Sequence, residues 1–215
     1  ATAEVLAQIF HIDRAAQDRY ALESVRRAVT ATQRGFYASH LVPVTHNGTM
    51  VLDHDETPAQ RSAILEKPKL LEKAPVLFDN SLYSFQNFYR DHRAHLGRDT
   101  PPDGSHGTVT LLNACGRSDG AAGVIVTTAA KAQSLGLEIL CEVGGWAFRG
   151  VEPERMGLAP AVAANEALNR VGISFDDLDA IELHEPFAAS TLALFRFAKE
   201  TFGHDWSARH AEGRL

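Results

Sequence analysis

Apolar residues recur along this chain in three regimes: a helical period at the start, a broken pattern in the middle, and alternating strand and helix periods in the last half. Thr2 is placed to cap a short helix reaching Phe10. Asp13 is placed to cap a longer one, in which Leu22, Val25 and Val29 share a face before Gly35 stops it. Two helices with one buried stripe are therefore predicted. From 41 to 105 the period weakens: residues 42–44 and 49–52 have the character of short strands, and Pro58, Pro68, Pro75, Pro101 and Pro102 interrupt the rest. This region is expected to be an irregular excursion of short elements. Phe78, Tyr83, Phe85, Phe88 and Tyr89 cluster inside it, and they are read as a local mini-core in preference to a ligand surface.

After Ser105 the pattern becomes regular. Residues 107–112 are β-rich, a glycine-bearing turn follows, and 121–127 form a second apolar run of strand length. Thr128 is placed to cap a short helix ending at Gly136, and 137–149 alternate as a strand. Pro160 opens a helix whose Ala161, Ala164, Leu168 and Val171 fall on one face before Gly172, and Ser174 with Asp177 has capping-box spacing. Residues 180–183 are again strand-like. Glu185 then reads as a helix cap and Pro186 as the first helical residue, where a missing N–H is harmless. The last helix carries Phe187, Thr191, Phe195, Ala198 and Phe202 on one stripe and stops at Gly203. Strands alternating with helices predict an α/β layer with a largely buried sheet.

Composition narrows the classes. In 215 residues, 45% apolar and 22% charged content argues against global disorder, and a net charge of −6 makes nucleic acid a poor partner. Cys115 and Cys141 have neither zinc-site spacing nor the density of a secreted disulfide scaffold, so a reducing, cytoplasmic setting is expected. No apolar run approaches the roughly 20 residues of a membrane span, and the first residues carry no signal-peptide pattern. A soluble protein without a targeting segment is the expectation.

Two places offer chemistry. Open α/β sheets bind ligands beyond the carboxyl ends of their strands, and a helix N-terminus adds free N–H groups there, so His184 and Glu185 at a strand-to-helix junction are placed to act. The competing reading makes Glu185 a cap and His184 a satisfied, partly buried imidazole. A metal hydrolase built on this pair is disfavoured, because adjacent residues cannot supply a ligand set, and no metal is expected. The second place is the polar, glycine-containing turn from Asn113 to Ala122, whose backbone can approach a ligand closely; the alternative is a plain strand connection. Cys115 in that turn has no base identifiable from sequence. Cys141, inside an apolar alternating run, is expected to be buried and inert.

Together these places form a resemblance. Residues 107–110, the turn 113–122, Met156-Gly157-Leu158-Ala159-Pro160 and His184-Glu185-Pro186-Phe187-Ala188-Ala189 resemble, in order and interval, the second half of a thiolase. Thr2-Ala3-Glu4 and the helix of residues 12–35 are similar to the family's loop domain, and 41–44 to the strand after it. The match over 45–105 is weaker and contains an insertion. The polar stretch after Phe202 and the histidine heading the H-E-x-F motif are similar to thiolase subunits of fatty-acid oxidation complexes, whereas biosynthetic members carry N-E-A-F.

The resemblance implies a partial, layered α/β thiolase-like fold: residues 1–105 as a mainly helical, loop-domain-like region with its excursion, and 106–215 as the first part of the C-terminal domain. It implies an acyl-CoA acyltransferase, performing thiolysis of 3-ketoacyl-CoA or the reverse condensation, with coenzyme A as substrate and no covalently bound cofactor. In thiolases a cysteine takes the acyl group, while a G-H-P histidine and a second cysteine move protons. This chain has no G-H-P motif, and nothing aligns with either cysteine, so the chain alone is expected to be inactive. His184 carries over as the catalytic position that holds an oxyanion-hole water. Cys115, standing where many members have serine near the thioester, and Gly116 carry over as CoA-binding, while Met156 and Phe187 line the acyl or pantetheine pocket. Pro186 departs from the usual alanine. The expected partners are acyl-CoA and CoA, with a homo-oligomer or a complementing thiolase chain. The alternative is a noncatalytic CoA-binding or scaffold subunit that keeps the fold.

Overall fold

A computed structural model describes residues 1–215. Helix α1 (Thr2–Ile9) starts one residue earlier than expected, with Ala1 at the cap position, so Thr2 lies inside the helix and caps nothing. Asp13 does cap α2 (Arg14–Gln33): its carboxylate accepts the Ala16 N–H at 2.6 Å. A hairpin of β1 (Val44–His46) and β2 (Thr49–Leu52) follows, turned by Asn47 and Gly48, both at positive φ. Five short helices make up the excursion: α3 (Glu56–Arg61), α4 (Ala63–Glu66), α5 (Lys69–Lys73), α6 (Phe85–Asp91) and α7 (Arg93–Leu96). Its aromatic residues form the expected mini-core, in which Phe85, Phe88 and Tyr89 pack with Val5 of α1, with Phe78 and Tyr83 at the margin. That packing ties the excursion to the first helix.

The last half keeps its helices. Thr128 caps α8 (Ala129–Ser134), α9 (Ala159–Val171) ends on Gly172 at φ 69°, and Ser174 with Asp177 closes a capping box over a 3-10 turn. Helix α10 (Ala188–Phe202) ends on Gly203 at φ 77°, and α11 (Trp206–Ala211) follows. Left-handed backbone at those two C-terminal positions is what glycine tolerates without strain. Helix α1, α10 and the 3-10 turn Pro153–Leu158 pack together. At their contact Leu6, Leu158, Ala189, Ala193 and Leu194 form the main core, with Trp206 and Phe175 extending it. Gly157 sits where the three meet, since a Cβ there would come within 2.8 Å of Leu6 and 2.9 Å of Ser190.

The predicted buried sheet does not form within these residues. Of the run 107–112, only an isolated antiparallel bridge between Val76 and Thr110 is made. Residues 116–127 and 138–150 take part in no backbone–backbone hydrogen bond. Their apolar side chains face solvent: Val124 is 88% and Leu140 86% exposed. Cys141 is accordingly exposed, where the alternating pattern predicted burial. The reason is physical. A strand is stable only with neighbours on its edges and cover on its faces, and here neither is supplied.

Candidate functional site

The site is built from buried polar contacts that fix the turn after residue 107. Glu4 of α1 is fully buried and accepts the N–H groups of Thr108 (2.9 Å) and Val109 (2.8 Å) and the Thr108 hydroxyl. Gln17 of α2 donates to the same hydroxyl at 2.8 Å. Asn113, also buried, accepts the Thr110 N–H and donates to Asp18 (3.0 Å) and to the Thr108 carbonyl (3.1 Å). Arg14 in turn grips Asp18 and the carbonyls of Leu71 and Ala74. Each buried donor or acceptor is costly to leave alone, so these bonds fix the geometry of the 108–113 backbone.

The turn is then joined to the segment leading into α10. The Cys115 N–H donates to the Pro186 carbonyl at 2.7 Å, the Ala188 N–H donates to the Asn113 carbonyl at 3.0 Å, and Ala114 and Phe187 form an antiparallel bridge. Between this junction, α2 and α3 lies an open cavity of about 340 Å³. Tyr20, Ser24 and Val25 form one wall, Asp55 and Arg61 a second, and Cys115, Gly116 and Glu185 a third. Arg61 reaches the Leu111 carbonyl at 3.2 Å and the Leu112 carbonyl at 3.4 Å.

Two titratable groups in the cavity are coupled. The Tyr20 hydroxyl donates to Glu185 Oε1 at 2.7 Å. Burial pushes the Glu185 carboxyl above the usual carboxylate range, opposed by the Tyr20 hydrogen bond and the Arg27 charge. Burial, then the hydrogen bond to Glu185, raises Tyr20 above its ordinary value. His210 of α11 stacks on Tyr20 at 5.0 Å between ring centres, and burial followed by the Arg27 charge lowers it below the usual imidazole value.

The residues singled out from sequence separate into two groups. Cys115 and Gly116 line the cavity. His184 is exposed and outside the lining, and the carboxyl end of a strand does not exist there. Phe187 turns toward the main core, and Met156 stands 62% exposed on the 3-10 turn. Glu185 caps no helix: Ala188 is the first residue of α10, Phe187 occupies the cap position, and the Glu185 carboxylate goes to Tyr20 instead. Tyr20, Asp55, Arg61 and Glu185 in its observed role were not found from sequence. A signal for the first existed, since Tyr20, Ser24 and Ala28 recur at four-residue spacing and so share one face of α2.

Known proteins share this sequence and fold. Residues 1–78 match a family model described as thiolase, N-terminal domain, and 137–202 one described as thiolase, C-terminal domain. A beta-ketoadipyl-CoA thiolase of Pseudomonas aeruginosa is 34% identical over 91% of this chain and 42% of its own length. An acetyl-CoA acetyltransferase of Chromobacterium violaceum is 34% identical over 90% of this chain and 43% of its own. Among solved structures, the Bacillus anthracis acetyl-CoA acetyltransferase superposes with a TM-score of 0.73 at 29% identity, covering 92% of this chain and 44% of its own. The human mitochondrial 3-ketoacyl-CoA thiolase in complex with CoA superposes with a TM-score of 0.71 at 29% identity, covering 92% and 42%. The chain spans under half the length of these relatives.

Proposed function

The chain belongs to the thiolase family, and from that premise we propose that it forms part of an acyl-CoA acyltransferase, cleaving or making 3-ketoacyl-CoA thioesters, in which the Tyr20–Cys115–Glu185 cavity receives the thioester. The observation that carries this reading is the hydrogen-bonded junction of 113–115 with 186–188. It joins two segments far apart in sequence into one wall of an open cavity, with backbone and small side chains at the surface, as a close-fitting thioester requires. Coenzyme A is the substrate in this reading, and the human mitochondrial thiolase that shares the fold was solved in complex with CoA. Cys115 and Gly116 contact it, His184 serves as catalytic position, and Met156 and Phe187 border the acyl or pantetheine portion. Because His184 faces solvent and Met156 is exposed, these last roles require further polypeptide to close over them.

Exposed apolar segments at 121–127 and 138–150 support such a completion, by a complementing thiolase chain or a further copy of this one. A cytoplasmic setting fits the exposed thiols of Cys115 and Cys141, and no helix is long and apolar enough to cross a membrane. Domain boundaries near 105 belong to the same proposal.

Calorimetric titration of acetyl-CoA into the 215-residue chain tests the cavity, with binding expected for the native sequence and lost in Cys115→Trp at unchanged circular dichroism. Unaltered affinity in the variant removes the turn from the site. Incubation with acetoacetyl-CoA and CoA tests the activity: thiolysis is expected only after a polypeptide carrying the family's nucleophile and G-H-P motif is added, because neither cysteine here is matched to a base. Acetyl-CoA binding with no turnover under any complementation favours the alternative, a noncatalytic CoA-binding subunit.

A further inference from the structure

We propose that the hydrogen bond between Tyr20 and Glu185 positions His184, so that Tyr20 of α2 serves the acyl-transfer step as a positioning residue. The inference rests on the reading of His184 as the catalytic position. Burial alternates along the segment that carries it: Ile181, Leu183 and Glu185 are partly buried, whereas Glu182 and His184 are exposed. With a period of two, whatever turns Glu185 inward turns His184 outward. Apolar contact does not fix that arrangement by itself, because it is non-directional and Ile181 and Leu183 only lean on the main core. Backbone bonds hold the segment at its two ends, where the Ile181 N–H donates to the Arg214 carbonyl at 2.9 Å and the Pro186 carbonyl accepts the Cys115 N–H at 2.7 Å. Residues 182–185 between them make no backbone–backbone hydrogen bond. Their one polar tether is the Tyr20 hydroxyl, which donates to Glu185 Oε1 at 2.7 Å.

The anchor of this tether is itself fixed. Tyr20 packs edge-on to Phe195 at 6.1 Å and stacks on His210 at 5.0 Å between ring centres, so packing against α10 and α11 sets where its hydroxyl stands. A carboxyl oxygen accepts that hydroxyl whether or not the group is ionised, and the amide oxygen of a glutamine accepts it too. The bond therefore acts by geometry and not by charge. Phenylalanine at position 20 keeps both ring contacts and removes only the hydroxyl, which frees Glu185 and leaves 182–185 without a polar anchor. A shift of the His184 ring by about 1 Å would lower the rate by up to about 100-fold. The thioester-binding turn is held separately, through the bonds of Asn113 and Cys115 to the entry of α10, so binding should change little.

The assay is thiolysis of acetoacetyl-CoA by the 215-residue chain complemented with a polypeptide that carries the family's nucleophile and G-H-P motif. Tyr20→Phe is expected to lower kcat by about 10–100-fold, with KM within about threefold of native. Glu185→Ala loses as much, and Glu185→Gln, which still accepts the hydroxyl, recovers at least about fivefold of that loss. The deciding measurement is a double-mutant cycle: in a His184→Ala background Tyr20→Phe costs nothing further, an outcome that a merely structural role would not give. Native kcat in Tyr20→Phe, an equal loss with or without His184, or a rise in KM at constant kcat overturns the proposal while leaving the thioester reading standing. Native kcat in His184→Ala, or no turnover by the complemented native chain, removes the functional reading and the proposal together. Should Tyr20→Phe fail to fold by circular dichroism, ¹⁵N relaxation of the native chain decides instead. His184 and Glu185 amides as ordered as those of α10 are then expected, and large-amplitude motion at them overturns the proposal.

Discussion

Replacing Glu4 by alanine is expected to destabilise the chain by about 3–5 kcal/mol, although the residue is remote from the cavity wall it supports. Glu4 is 0% exposed and accepts four hydrogen bonds: from the Thr108 and Val109 N–H groups, the Thr108 hydroxyl and the Gln8 amide. Without the carboxylate, two buried backbone donors lose their partners at roughly 1–3 kcal/mol each. The hydroxyl and the Gln8 amide can rotate toward other acceptors, so they add less. Alanine recovers a few tenths of a kcal/mol of helix propensity, which does not change the outcome. With a urea dependence of about 2 kcal/mol per molar, the midpoint should fall by about 1.5–2.5 M. Glu4→Gln, which keeps one oxygen for the two N–H groups, should lose less than half as much. The assay is urea unfolding followed by tryptophan fluorescence, with Trp206 buried in the same core. A loss below about 1 kcal/mol in Glu4→Ala would refute the reasoning, since it would mean that water satisfies the 108–109 backbone and that the turn is not held by α1.

Gly157→Ala should cost about 1–3 kcal/mol by overpacking, because the new methyl meets Leu6 and Ser190 below 3.0 Å; thermal unfolding that matches the native chain would show that α1 and α10 yield freely there. Leu194→Ala, at 2% exposure in the main core, should lose about 2–4 kcal/mol in the same assay. Asp13→Ala should lose about 1 kcal/mol through the cap of α2, read as lower helical ellipticity and an earlier urea midpoint. The Asp205 carboxyl is held well below its usual range by its hydrogen bond to Lys199, then by the Ser207 hydroxyl and the Ala208 N–H. A depressed carboxylate contributes stability that is present above the unfolded value of about 3.9 and lost as pH falls below it. The melting-temperature deficit of Asp205→Ala should therefore be full at pH 7 and shrink toward pH 2, and a deficit independent of pH would exclude this linkage.

Local rules in the sequence settled a specific part of this protein. Asp13, Thr128, Ser174 with Asp177, Gly172 and Gly203 act on their own neighbours within one helical turn, and each holds the place its residue type predicted. The aromatic cluster of the excursion was legible for a related reason, since large apolar side chains close in sequence find each other whatever surrounds them. The family was legible too, because ordered motifs survive where pairwise contacts cannot be read, and Cys115 and Gly116 do reach the cavity. Tertiary structure alone decided the rest. Strand periodicity at 121–127 and 137–149 states which face a strand would bury, but a ladder requires partners, and these segments join none within the chain. Glu185 follows the same logic. Its position before a helix predicted a cap, yet a hydroxyl supplied by Tyr20, 165 residues earlier, takes its carboxylate and carries it into the cavity wall. A cap depends on residues three positions away and is written locally, whereas a hydrogen bond across the fold exists only once α2 and the entry to α10 have been packed side by side.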